Sequence, residues 1–221
     1  MAEYTLLRLK GELPDITGKV IDPDALLPGA VFAPISLYPW AAAEGNYTPE
    51  ARAYLFYNEN GLHGLLCARE QTIRAVETRF CGDVYLDSCL EAFLTPCPSS
   101  NADYVNVEMN AIGTVHLGIG AGRYDRRHPN AVPDGMNPRA SGHDGHWWGV
   151  SFTLPMDFLR REFGLERLEP GMEMRGNFFA CDSSIHTHHG VWNPISTPKP
   201  DFHRPELFGL LHFGSETVAF S

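Results

Sequence analysis

Two glutamates and two asparagines are the side chains of this sequence best arranged to meet a ligand rich in hydroxyl groups. Glu91 lies in residues 88–94, a run otherwise apolar on both faces, where it shares a side with Cys89 and Phe93. A carboxylate in such a strand needs hydrogen-bonding partners or a ligand, because burying an unpaired polar group is costly. In residues 104–110, Val105, Val107 and Met109 alternate with Tyr104, Asn106, Glu108 and Asn110. A period of two puts the apolar three on one face and the other four on the opposite face. If the two runs pair, Glu91 lies beside that polar row, within reach of a cross-strand neighbour. The predicted face offers several hydrogen-bonding groups and no basic residue, which suits a neutral ligand and repels phosphate. A half-exposed strand also shows polar residues to water with no ligand involved. These two runs alone leave both readings open.

Other chemistry is less well supported. Glu91 and Glu108 could form a glycosidase pair, for which a separation of about 5 Å suits a retaining mechanism. In an extended segment His186 and His188 point the same way, near Asp182, as a divalent ion would require. No third ligand stands at a fixed spacing, and the HExxH pattern is absent. His143, Asp144 and His146 raise the same question with less support. Asp83, Asp87, Asp103 and Asp125 lie in or beside loops and offer oxygen ligands for calcium, but they form no recognisable calcium loop. There is no GxSxG and no recognisable Cys–His arrangement. Residues 118–123, GIGAGR, lack a following helix and a Lys-Ser/Thr ending, so they read as a turn.

The elements that must position these residues are mostly strands. Residues 51–57 and 62–68 read as a hairpin across Asn58-Glu59-Asn60-Gly61. Residues 69–78 read as a further strand leading into the central pair, and 114–120 continue the meander. Strands are also predicted over 147–154, 171–182 and 207–213. Residues 155–163 read as a short helix, with proline at its start and Gly164 just past its end. The first 50 residues are broken by Leu-Pro, Asp-Pro, Ala-Pro and Tyr-Pro steps, and residues before proline favour extended geometry. That segment reads as irregular with one short strand. Residues 120–146 form a long loop carrying Arg123, Arg126, Arg127 and Arg139, and loops of this length are often functional. The fold expected is all-β: a single antiparallel β-sandwich over residues 1–221 with one short helix.

Composition agrees. Seventeen basic and twenty-seven acidic residues give a net charge of −10, which argues against nucleic acid or an anionic membrane as partner. An apolar content of 43% supports a full core. No apolar run of roughly eighteen residues exists to cross a membrane as a helix. The five cysteines are odd in number and form no CxxC pair, so free thiols are expected. With no secretory leader visible at the N-terminus, the chain reads as cytoplasmic, or as exported if a leader has been removed.

Taken in order, the segments are similar to a known family. IRAVETRFCGDVYLDSCLEAFL, YVNVEMNAIG and the Trp-led strand ending at Leu154-Pro155 resemble the family 9 carbohydrate-binding modules and their DOMON-like relatives. RGNFFACD, VWNPI and FHRPELFGLLHF resemble that family's closing strands, and the likeness spans residues 30–214. The resemblance implies an immunoglobulin-like sandwich that binds sugar, typically between two aromatic rings with polar groups beneath. Its polar part maps onto Arg74, Asp87, Glu91, Asn106 and Asn110, to which Glu108 is added from the strand pattern. For the aromatic part Trp40, Trp147, Trp148 and Trp192 compete, with Trp147 and Trp192 kept in the candidate set. The expectation is a non-catalytic carbohydrate-binding protein with no cofactor, calcium being the one ion left open. The alternatives are a sugar-processing enzyme using Glu91 and Glu108 or a His186-centred metal, and a haem module ligated by Met109 and His116.

Overall fold

In the computed structural model, which describes residues 1–143 and 147–220, the period-two runs pair into one large sheet. The expectation at Asp144 and His146 lies outside the described residues. In chain order the strands are β1 (Glu3–Leu9), β2 (Ala33–Ile35), β3 (Glu50–Asn58), β4 (Gly61–Arg69), β5 (Cys89–Thr95) and β6 (Tyr104–Asn110). There follow β7 (Val115–Gly120), β8 (Arg139–Ala140), β9 (Trp148–Pro155), β10 (Glu173–Asp182), β11 (His188–Val191) and β12 (Gly209–Val218). Across the sheet the order is β7-β6-β5-β10-β12-β1-β3-β4-β9-β8, with β11 added on β10 and β2 on β3. The sheet curls until its two halves face each other. Leu90, Val107, Leu117 and Phe178 from one half share a core with Leu62, Leu66, Val150 and Phe152 from the other. This is the expected β-sandwich.

Its pairing is mixed rather than wholly antiparallel. β1 runs parallel to both of its neighbours, β12 and β3, and joins the two halves. The irregular reading of the N-terminus hid it because Leu6 and Leu7 are adjacent, so the run does not alternate. Both are nevertheless buried, Leu6 in the central core and Leu7 against the covering segment of residues 13–32.

Residues 69–78 are not a strand beyond Arg69. The backbone N–H groups of Val76 and Glu77 both donate to Asp87 Oδ2 at 2.9 Å. A carboxylate there takes the place of a neighbouring strand. The expected helix is α2 (Met156–Phe163), with Pro155 as its N-cap and Gly164 closing it at φ 69°, a left-handed conformation that suits glycine. A one-turn helix, α1 (Pro23–Leu26), is additional; Asp22 caps it by accepting from the Asp24 N–H.

The register sets the functional face. Glu91 lies opposite Glu108, Glu108 opposite His116, and Cys89 opposite both Asn110 and Cys181. This outward face is not open to water. Trp40, Val84, Ile195, Phe202 and Phe208 come from loops and pack over it as a second core, and every residue of β6 is buried.

At the end of β4 the buried carboxyl of Glu70 accepts from Ser88 Oγ at 2.7 Å and from Trp148 Nε1 at 3.2 Å. Burial raises it to about 7, with Asp182 adding to the rise. Between its unfolded and folded values the native chain holds the extra proton, so stability is greatest below that window and falls as pH rises through 7. We predict that Glu70→Gln removes a decline of about 3 kcal/mol between pH 4.5 and 7.5. Urea denaturation at both pH values would give equal slopes for wild type and variant if Glu70 does not titrate this way.

Candidate functional site

A cavity of about 310 Å³ opens where the loop cover meets the polar face of β5, β6 and β10. Glu91, Glu108 and Cys181 form its floor, with His116 beside them. Arg123 and Arg126 enter from the long loop, and Tyr85, Phe202 and His203 complete the walls.

Each group is held by its element. Burial pushes the Glu91 carboxyl well above the usual carboxylate range, and the Glu108 charge opposite pushes it further. Burial also raises Glu108, against the opposing pull of His116 and Arg126. The pair therefore keeps a proton at pH values where an exposed carboxyl has lost it. Its floor presents an O–H donor beside carboxylate acceptors. Asn106 lies beneath: its Nδ2 donates to Glu108 Oε1 at 2.8 Å, and its Oδ1 accepts from Arg126 Nη1 at 2.7 Å. Gly118 makes this approach possible, because a Cβ there would stand 2.5 Å from Asn106 Oδ1.

His116 donates from Nδ1 to the Gly82 carbonyl at 3.0 Å, which leaves its buried Nε2 without a partner. Burial pushes His203 down to about 3, so the ring is neutral. The Tyr104 hydroxyl and His203 Nδ1 share a hydrogen bond of 2.8 Å, which leaves the other ring nitrogen for a further partner. The aromatic surfaces are Phe202, stacked on Phe179 at 4.1 Å, and Tyr85, which is 43% exposed.

Of the residues singled out in the sequence, the structure brings Glu91 and Glu108 to the cavity and Asn106 directly under it. Arg74, Asp87 and Asn110 belong to a separate buried cluster. Asp87 accepts from Arg74 Nη1, from the Val76 and Glu77 N–H groups, and from Asn110 Nδ2 at 2.8 Å. That cluster fixes the loop carrying Tyr85. Trp192 packs in the central core against Tyr4 and Phe178. Trp147 lies on the far cover, with the Arg52 guanidinium 4.8 Å above its ring. Neither tryptophan lines the cavity. Trp148 is fully buried, and Trp40 packs behind Phe202.

The expectation of a face without basic residues is corrected by Arg123 and Arg126. Their loop folds back through paired hydrogen bonds of 2.9 Å between Ile119 and Arg127. Its run of arginines was the visible signal. Tyr85 and His203 gave none, since their approach depends on loop packing.

The metal and haem candidates disperse. His188 bonds to the His186 carbonyl and His189 to Glu44, and among the described residues these histidines form no group of three ligands with Asp182. Met109 faces the central core while His116 lines the outer cavity, so no single iron could meet both. All five cysteines are free thiols. No described helix is long and apolar enough to cross a membrane.

A sequence model of carbohydrate-binding family 9 matches residues 24–213. Among curated proteins no relative matches. A Bacteroides uniformis protein to which carbohydrate binding has been ascribed superposes with a TM-score of 0.75 at 24% identity, covering 96% of this chain and 98% of its own. A family 9 module from Caldicellulosiruptor kristjanssonii in complex with glucose gives a TM-score of 0.65 at 12% identity, with 97% of each chain covered. Its cellotriose complex gives 0.65 at 13%, covering 97% of this chain and 95% of that one. These likenesses concern the fold.

The Asp87 cluster makes a prediction separate from ligand binding. Asp87→Ala leaves two backbone donors and a guanidinium without their acceptor, and it should destabilise the chain by about 3 kcal/mol. A denaturant midpoint within about 1 kcal/mol of wild type would show that water replaces the carboxylate.

Proposed function

Because the chain belongs to carbohydrate-binding family 9, we propose that it is a non-catalytic protein that binds a sugar in the cavity over Glu91 and Glu108. The observation that carries this reading is the convergence of polar groups with open hydrogen-bonding capacity on one small cavity beside an exposed aromatic ring. His116 Nε2 and His203 Nε2 each offer a further hydrogen-bonding position, and the glutamate pair offers a donor beside acceptors. Among the described residues Arg123 pairs with Asp201 alone, at 3.7 Å, and can donate to a further acceptor. Tyr85 supplies a flat face for the C–H side of a sugar ring.

At about 310 Å³ the cavity lies at the small end of ligand pockets, which run from roughly 300 to 1,000 Å³. That size favours a monosaccharide or the end of a glycan over a chain running through. The two carboxyls sit side by side on adjacent strands at the cavity floor. A hydrolase of the retaining or inverting kind needs them on either side of the bond it breaks. Binding rather than cleavage follows.

Isothermal titration with glucose, with cellotriose and with the best hit of a glycan array tests this. The wild type should bind one ligand per chain. Glu108→Gln and Arg126→Ala should each weaken binding about tenfold or more, the loss expected for one charged hydrogen bond. Tyr85→Ala should weaken it through lost stacking. Variants that melt like wild type and bind as tightly would move the site elsewhere.

A further inference from the structure

Three ionisable side chains at the cavity floor, one of them Glu91 of the proposed sugar site, form a group that sugar binding alone does not explain. Cys89 and Glu91 are two residues apart on β5 and project from the same face. Cys181, on β10, is the cross-strand partner of Cys89. One ligand atom from each lies within 4.8 Å of the other two, and Cys181 Sγ stands 3.2 Å from Glu91 Oε1. All three are buried, between 0 and 2% exposed. Among the described residues, no other three His, Cys, Asp or Glu side chains converge in this way.

The two thiols and the carboxyl pack together with no basic side chain among them. Among the described residues Glu91 makes no ion pair, and Arg126 is engaged by Asn106 and Glu108. Burial holds Cys89 and Glu91 toward their protonated forms, and the hydrogen bond with Cys89, then burial, does the same for Cys181. A bound cation would reverse that preference.

We propose that Cys89, Glu91 and Cys181 bind one zinc ion whose fourth coordination position opens into the cavity. Two sulfurs and one oxygen form a donor set suited to tetrahedral zinc, and thiolates select against calcium and magnesium. Strand positions fix the ligands, so little ordering is needed on binding. Glu91 and Cys181 line the cavity, which lets water or a ligand hydroxyl take the open position. Binding releases a proton from each thiol, and one from Glu91 when that carboxyl holds it.

The test uses the full chain, reduced, metal-free and shown by thiol titration to carry five free thiols. Anaerobic titration with cobalt(II) should saturate at one ion per chain. It should produce thiolate-to-cobalt charge-transfer absorption and the strong visible bands of tetrahedral cobalt, and zinc should displace both. Losing a group that only supports a metal ligand already costs about 10–100-fold in affinity, so Cys181→Ser should weaken binding by at least about tenfold. Cys67→Ser, at a buried thiol beneath the far cover, should change nothing. Should Cys181→Ser fail to fold, zinc added to wild type at about pH 7.5 should still release two or more protons per ion. Absence of the charge-transfer band with excess cobalt, or its persistence in the Cys89→Ser/Cys181→Ser double variant, overturns the proposal. Glucose and cellotriose titrations in chelator report on sugar binding separately.

Discussion

The fold depends on burying a row of polar side chains between two apolar layers. On their inner faces β5, β6 and β10 supply the sandwich core, and on their outer faces they are covered by aromatic loops. Between the layers lie Glu91, Asn106, Glu108 and Asn110, all at most 4% exposed. Buried polar groups must be paired or they cost stability. Asn106 meets this by bridging Glu108 and Arg126, and Asn110 by bonding Asp87 and the Glu77 carbonyl. Glu91 and Glu108 lie where the loops leave a cavity, and His116 Nε2 beside them has no partner among the described residues. The candidate site is the part of this row whose hydrogen-bonding capacity opens into a cavity.

Carboxylates also organise the loops that shape this cavity. Asp87 gathers the backbone of Val76 and Glu77 and thereby sets where Tyr85 leaves the sheet. Glu70 ties Ser88, the residue before β5, to Trp148 on the facing half of the sandwich. Position at the cavity mouth is thus coupled to core packing through two buried acids. Such links hold a loop-borne aromatic more firmly than a surface loop alone would.

Much of this was legible in the sequence, and the failures have physical causes. The alternation in Tyr104–Asn110 and the apolar run around Glu91 gave the central strands and placed Glu91 beside the polar row, while the register that sets it opposite Glu108 came from the structure. Proline and glycine at either end of residues 155–163 gave the helix. β1 was missed because a strand buried on both faces need not alternate. Residues 69–78 looked like a strand because nothing local announces that a carboxylate ten residues away will take their N–H groups. Trp147 and Trp192 stand away from the cavity for a related reason. An indole stacks well on a sugar, but it also fills a core well, and the sequence does not say which side of the sheet Trp192 faces. Tyr85 and His203 reach the cavity through loop conformations that only tertiary packing determines.

The electrostatics of the floor bear on why such a site would bind rather than react. Two carboxyls facing each other in low dielectric share a proton more readily than they ionise together. Arg126, 3.7 Å from Glu108 and bonded to Asn106, favours the charged form of Glu108 and leaves Glu91 as the protonated partner. A donor and an acceptor then lie next to each other on rigid strands. Vicinal sugar hydroxyls present the same alternation, since each can donate to one neighbour and accept from the other. A phosphate would find Arg123 and Arg126 but also the acidic pair, whose Glu108 repels it. The arrangement discriminates by hydrogen-bond pattern, and charge serves mainly to fix which carboxyl holds the proton.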